Sequence, residues 1–125
     1  MNDSVSVAGD SGRAFGEQTF AQFQDELRRV ARLITAAAPA KPLEAVLNAI
    51  QRNPALSQAR LLTRILAAYA GQPVSFRSAE VAAFDREHLA LLIALMDTHD
   101  AGSLPPADWA RASVEADAAR RDIGG

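Results

Sequence analysis

Residues 89–96 read Leu-Ala-Leu-Leu-Ile-Ala-Leu-Met, and this stretch decides the fold class. It is the longest unbroken apolar run in the chain, and on a helix it places apolar side chains on every side. A helix that is apolar all round belongs at the centre of a bundle. The run is far shorter than the roughly 20 apolar residues that a helix needs to cross a bilayer. The stretch therefore predicts a buried central helix and no membrane association.

Helical periodicity continues on both sides of this stretch. Apolar residues recur every three or four positions from Phe20 to Ala37, from Leu43 to Ile50 and from Leu56 to Ala70, which indicates amphipathic helices. Ser78 can cap a brief helix over Ala79–Phe84, and Pro106 opens a final helix. No segment alternates strictly with period two, so the sequence predicts an all-α fold: a compact bundle of five or six helices with a central apolar helix. Ten residues are predicted to surround that helix: Phe20, Phe23, Leu27, Leu47, Ile50, Leu62, Ile65, Leu66, Phe84 and Trp109.

Breaker residues divide these helices from one another. Pro39 ends the first helix, Pro42 suits the first turn of the second, and Gly71 follows the third where a left-handed cap is needed. Residues 72–77 are too short and too interrupted by proline to form a helix. We expect an extended connector there.

A chain of 125 residues has room for one hydrophobic core. Residues 1–16 mix Gly, Ser, Asp and Asn without periodicity, which predicts a disordered tail ahead of a single helical domain over 17–123. The absence of cysteine excludes disulfide and thiolate chemistry. Residues 1–16 also lack the basic start and apolar run of a secretory signal, so we expect a cytoplasmic protein.

The net charge of −2 is unevenly distributed along the chain. The middle third is basic and both ends are acidic, which is consistent either with a polyanionic partner or with pairing between helices of the same fold. On the first helix, Arg28, Arg29 and Arg32 cluster beside Leu33, which lies off the apolar stripe. Because arginine next to apolar residues is common in contact surfaces, these four residues are predicted to bind an acidic partner or a second copy.

Residues 43–69 contain a short helix, a break at Asn53-Pro54 and a longer helix. Helix-turn-helix proteins have this arrangement, and they place Ser, Gln and Arg near the start of the second helix to reach phosphates and base edges. The corresponding nucleic-acid candidates here are Ser57, Gln58, Arg60 and Arg64. The negative net charge argues against this alternative, since DNA-binding domains usually carry a basic excess.

Three other patterns contain catalytic or metal-ligating residue types. Gly9–Gly12 resembles the tetrapeptide around a trypsin-like nucleophile, but it spans four residues of a predicted tail. His88 follows Asp85 by three residues, a spacing that also suits the first turn of a helix. His99 lies between Asp97 and Asp100, but it would be about 16 Å from His88 on one helix, too far to share an ion. We therefore predict no catalytic residue, no metal site and no cofactor.

The segment from Ser57 to Asp85, about a quarter of the chain, resembles a family of small uncharacterised proteins carried on proteobacterial plasmids and integrative elements. The matching features are an arginine-containing helix ending in 65–69 (Ile-Leu-Ala-Ala-Tyr), a polar connector, then Phe76, Glu80-Val81 and Phe84-Asp85. Where that family has a tryptophan in the first of these helices, this chain has Tyr69 or Ala68. The resemblance implies a helical fold and a mobile-element setting, and it assigns no functional residue.

Together these patterns favour a non-enzymatic helical protein-interaction module that binds another protein or itself. A small DNA-binding accessory factor that uses residues 43–69 is the alternative.

Overall fold

The computed structural model describes residues 17–32 and 39–121 of the chain. Within these residues the fold consists of five α-helices, one 3₁₀ helix and one pair of short strands, so the predicted all-α bundle is confirmed. Strand β1 (Glu17–Gln18) pairs antiparallel with β2 (Phe76–Arg77). The helices are α1 (Phe20–Ala31), α2 (Pro42–Arg52), α3 (Ser57–Tyr69), the 3₁₀ helix (Ser78–Ala83), α4 (Arg86–Asp100) and α5 (Pro106–Arg121).

Local capping signals explain where the helices begin. The Thr19 hydroxyl accepts a hydrogen bond from the Gln22 N–H at 3.1 Å, and the Gln22 side chain accepts one from the Thr19 N–H at 3.0 Å. Asp85 caps α4 by accepting from the backbone N–H three residues later, at 2.8 Å. Pro42 and Pro106 occupy the first positions of α2 and α5, where the missing N–H would have had no helical partner.

Two helices, α3 and α4, contribute the most buried residues to the core. Helix α3 packs mainly against α5, α4 packs mainly against α2 and α1, and α2 also contacts α3 and α5. The apolar stretch 89–96 contributes five buried side chains, as expected for the predicted central helix. Helix α3 contributes six and is at least as central. Eight of the ten predicted surrounding residues are buried, whereas Phe20 and Leu47 are half-buried and pack against the edge of the core.

The connector between α3 and α4 differs most from its prediction. Gly71 has φ +91°, as expected for a left-handed cap. The residues that follow are extended, but they include β2, and Phe76 within it is fully buried. The predicted helix Ala79–Phe84 is instead the 3₁₀ helix Ser78–Ala83, and Phe84 follows it in extended conformation. A segment this short is held by its neighbours rather than by helix propensity.

Several predictions fall on residues 1–16, 33–38 and 122–125, which lie outside the described residues. They are the N-terminal tail, the continuation of the first helix to Ala37, the side chain of Leu33 and the last residues of the 17–123 domain. Among the described residues, no helix is both long enough and apolar enough to cross a membrane.

Candidate functional site

Arg28, the first of the predicted partner-binding residues, ties α1 to the end of α4. Its two terminal nitrogens donate to Asp97 Oδ1 and to Asp100 Oδ2, each at 2.9 Å. Partial burial acts to lower the pKa of Arg28, but the hydrogen bonds and charges of the two carboxylates outweigh it and raise the pKa. Arg28 therefore has partners within the fold.

The other residues of that predicted surface are distributed differently. Arg29 and Arg32 are exposed, and Arg29 Nη2 lies 3.9 Å from Glu26 Oε2 one turn earlier. Leu33 is outside the described residues. The exposed apolar residue beside the two arginines is Val30, whose relative exposure is 43%. The α1 surface thus offers two exposed arginines and one half-exposed valine.

The predicted recognition helix of the DNA-binding alternative is α3, and it is a core helix. Its buried residues face several directions, and only Ser57 and Arg60 of this helix are exposed. A recognition helix has to present one face to the major groove. The geometry of α3 does not favour that role.

The remaining two nucleic-acid candidates, Gln58 and Arg64, make contacts within the protein. The Gln58 amide oxygen accepts from the Asp85 N–H at 2.9 Å, and its nitrogen donates to Asp85 Oδ2 at 3.3 Å. Arg64 donates to Glu80 Oε2 at 2.6 Å and to the Ser75 carbonyl. These contacts join α3 to the connector and to the start of α4.

The two histidines also make contacts within the fold. His88 Nδ1 lies 2.8 Å from Asp85 Oδ1, the same oxygen that caps α4. The hydrogen bond from the His88 N–H is the main cause that lowers the pKa of Asp85. The His99 ring stacks on Tyr69 with centroids 4.0 Å apart, and it meets Trp109 edge-on at 5.2 Å. Across residues 17–32 and 39–121, no group of three or more His, Cys, Asp or Glu side chains converges as metal ligands would.

Tyr69 joins the same aromatic cluster to α1. Its hydroxyl donates to the Gln24 side-chain oxygen at 2.8 Å, and its ring meets Phe20 edge-on at 5.0 Å. Burial is the main reason that the pKa of Tyr69 is raised above its ordinary value. A hydroxyl held in its neutral form and bonded to an amide has a packing role in this cluster.

Two open clefts flank α2. The α2–α5 cleft, about 560 Å³, has Leu43, Leu47 and Leu104 among its lining residues. Most charged groups at its edge are already paired: Lys41 Nζ lies 3.7 Å from Glu44, and Arg111 donates to Asp108. Glu115 is the further charged residue of that lining.

The α2–α4 cleft, about 590 Å³, has a different charge arrangement. It is lined by Pro39, Ala45, Asn48, Arg52, Arg86, Glu87, Ala90 and Leu91. Within the part of the chain that the structure describes, neither Arg52 nor Arg86 forms an ion pair or a side-chain hydrogen bond. Two exposed guanidinium groups therefore border a small apolar floor.

Sequence reasoning did not identify Arg52 and Arg86 as a pair. They lie in the last turn of α2 and at the first position of α4. No spacing in the sequence links them, because the packing of α2 on α4 brings them to one cleft. The sequence offered only a local pattern: each arginine lies three or four positions from a small or apolar residue.

The described surface thus offers one cleft with two unpaired arginines, while Arg28, Gln58 and Arg64 are engaged within the fold. Comparisons of the chain with protein-family models, with curated proteins and with solved structures gave no match.

Proposed function

We propose that this chain is a non-enzymatic, cytoplasmic protein-interaction module that binds an acidic, partly apolar segment of another protein in the α2–α4 cleft. The observation that carries the proposal is the pair of exposed arginines, Arg52 and Arg86, that line one cleft together with Ala45, Ala90 and Leu91.

The chemistry of this cleft suits a protein ligand with carboxylates. Arginine presents a planar fork of donors that matches a carboxylate, and it is enriched in protein interfaces. Among the described residues that line the cleft, Glu87 is the one acid, so their charged side chains sum to +1. The small floor residues let a partner approach closely, and a cleft of this size holds several side chains. An acidic segment with apolar residues at helical spacing satisfies both features.

The proposal is tested with a display library of short helical peptides selected against the whole chain. We expect enrichment of peptides that combine acidic residues with apolar residues three or four positions apart. The best peptide, labelled with a fluorophore, is then titrated by anisotropy against the double variant Arg52→Glu, Arg86→Glu. Reversal of both charges is expected to weaken binding by at least about tenfold, with folding verified by circular dichroism.

The matched control is the double variant Arg29→Glu, Arg32→Glu. It reverses the charge of two exposed arginines at the end of α1 and is expected to leave the affinity for the peptide unchanged. Selection of basic peptides would contradict the proposal. Loss of binding in the α1 variant with full binding in the cleft variant would also contradict it, and would favour the surface predicted around Arg28, Arg29, Arg32 and Leu33.

The DNA-binding alternative gives a separate expectation. Because Ser57 and Arg60 are the only exposed residues of α3, we expect no mobility shift of random-sequence duplex DNA at moderate salt. Phosphate-driven binding weakens steeply as salt rises, so the assay compares low and moderate salt. A shift that is salt-sensitive and is abolished by Arg60→Glu would support the DNA-binding alternative.

A further inference from the structure

The turn between α2 and α3 has a leucine at the position where a helix usually has a polar cap. Leu56 precedes the first residue of α3 in extended conformation, and no side-chain capping hydrogen bond is made there. Ser, Thr, Asn or Asp at this position satisfies a free N–H, and leucine does not. Burial does not compensate for the missing cap, because Leu56 keeps a relative exposure of 46%. A residue that neither caps a helix nor fills the core is expected where the sequence serves binding rather than stability.

Arg120 lies beside this turn without a carboxylate partner. It is half-buried in the last turn of α5, and its Nε donates to the Pro54 carbonyl at 3.2 Å. Among the described residues it forms no ion pair, although the exposed Asp117 is one turn earlier on the same helix. The acid across the start of α3, Asp85, is engaged with Gln58 and with the cap of α4. A partly desolvated guanidinium that is held by a neutral acceptor favours an added anion.

The turn continues the α2–α4 cleft toward α5. Arg52 lines that cleft from the last turn of α2 and immediately precedes the turn, in which the Leu56 N–H donates to the Asn53 carbonyl at 3.2 Å. Helix α2 contacts both α4 and α5. Because packed helix axes are about 8–10 Å apart, the axes of α4 and α5 are separated by up to roughly 20 Å. Arg86 of α4 and Arg120 of α5 therefore mark the two ends of one surface.

We propose that the acidic partner of the α2–α4 cleft extends over the α2–α3 turn, where it places an apolar side chain on Leu56 and a second carboxylate on Arg120. The class of partner rests on the proposed function, and the turn adds the length and the pattern of the segment that binds. Such a segment has acidic residues at both ends and apolar residues between them. As a helix it needs about 13 residues to cover this span.

The probe is a fluorescein-labelled helical peptide of about 16 residues, with glutamates at both ends and leucines between them at helical spacing. Anisotropy measures its affinity for the whole chain. Leu56→Ser is expected to weaken binding at least about fivefold while the melting temperature stays equal or rises, because serine supplies the missing cap. A leucine with a structural role alone would give the opposite pattern. The control Val30→Ser, at a similarly exposed residue of α1, should leave the affinity unchanged.

Arg120→Gln tests the second carboxylate site. Glutamine removes the charge but keeps a donor for the Pro54 carbonyl, and circular dichroism verifies that the variant folds. We expect binding of the full probe to weaken at least about fivefold. Two shortened probes each lack the glutamates of one end. One of them should be insensitive to Arg120→Gln and remain sensitive to the double variant Arg52→Glu, Arg86→Glu.

Failure of this inference and failure of the proposed function give different results. Weakening by Arg52→Glu, Arg86→Glu with full binding in Leu56→Ser and Arg120→Gln confines the partner to the cleft and contradicts the extension. Weakening by the two turn variants alone supports the turn site and contradicts the cleft. A probe that does not bind the chain up to about 1 mM contradicts both. Binding to phosphatidylserine vesicles that Leu56→Ser abolishes, without peptide binding, contradicts a protein partner and indicates an anionic lipid surface.

Discussion

Replacing Phe76 with alanine is expected to lower the free energy of unfolding by about 3–5 kcal/mol, the cost of a large cavity in a packed core. The Phe76 ring is fully buried and stacks on Phe23 and Phe20, with centroids 4.3 and 5.4 Å away. Since small domains are stable by only about 5–15 kcal/mol, this loss should bring the chain close to unfolding at room temperature. Urea denaturation followed by circular dichroism measures it.

Two further variants serve as comparisons for the stability of Phe76→Ala. Phe76→Leu retains much of the buried volume and should cost markedly less than Phe76→Ala, so a stability is measurable even when the alanine variant is unfolded. Gln72→Ala, at an exposed position of the same connector, should change the stability by no more than about 0.5 kcal/mol. A loss for Phe76→Ala no larger than that for Gln72→Ala would show that Phe76 is not part of the core.

The second large effect is expected for Arg64→Ala. This substitution should lower the free energy of unfolding by about 1.5–3 kcal/mol, as the loss of other charge-assisted hydrogen bonds does. Its guanidinium bonds Glu80 and the Ser75 carbonyl and covers the Phe76 ring, with its central carbon 4.9 Å from the ring centroid. The substitution also leaves the half-buried Glu80 carboxylate without its main partner. Chemical denaturation gives the free-energy change.

The control for Arg64 is Arg60→Ala, which removes an exposed arginine one turn earlier on the same helix and should change the stability by no more than about 0.5 kcal/mol. Equal losses in both variants would contradict a specific role for Arg64. They would indicate that both arginines of α3 contribute only through the net charge.

The same ion pair has a defined pH dependence. Burial acts to raise the pKa of Glu80, but the hydrogen bonds from Arg64 and from the Arg77 N–H, with the charges of both arginines, outweigh it and hold the pKa below its ordinary 4.5. Because the folded pKa is depressed, the stabilisation is fully present above the ordinary pKa. It is lost as the pH falls through the folded value.

Glu80→Gln isolates this contribution. The variant should be less stable than the parent at neutral pH, and the difference should shrink as the pH falls below 4.5. Asp85, whose pKa is also lowered, is present in both proteins and therefore cancels in the comparison. A difference that stays constant down to strongly acidic pH would contradict the assignment.

The predicted interaction residues show why a binding site is harder to predict than a fold. Arg28, Arg29 and Arg32 form one cluster in the sequence, but the carboxylates that engage Arg28 are 69 and 72 positions away. Arg64 likewise finds Glu80 across the connector. Which arginines remain available to a partner depends on such distant contacts. Arg52 and Arg86, which have no ion-pair partner among the described residues, come to one cleft only when α2 and α4 are packed.

The sequence by itself determined the helical class, the helix starts and most of the core. Thr19, Pro42, Asp85 and Pro106 set helix starts through contacts within a few residues, and apolar periodicity marks buried faces by the same local geometry. Only the tertiary structure decided that Phe76 is a core residue, that α3 is as buried as 89–96, and which arginines are paired. The physical reason is range: capping and periodicity act over three or four residues, whereas burial and ion pairing depend on segments that only the packed chain brings together.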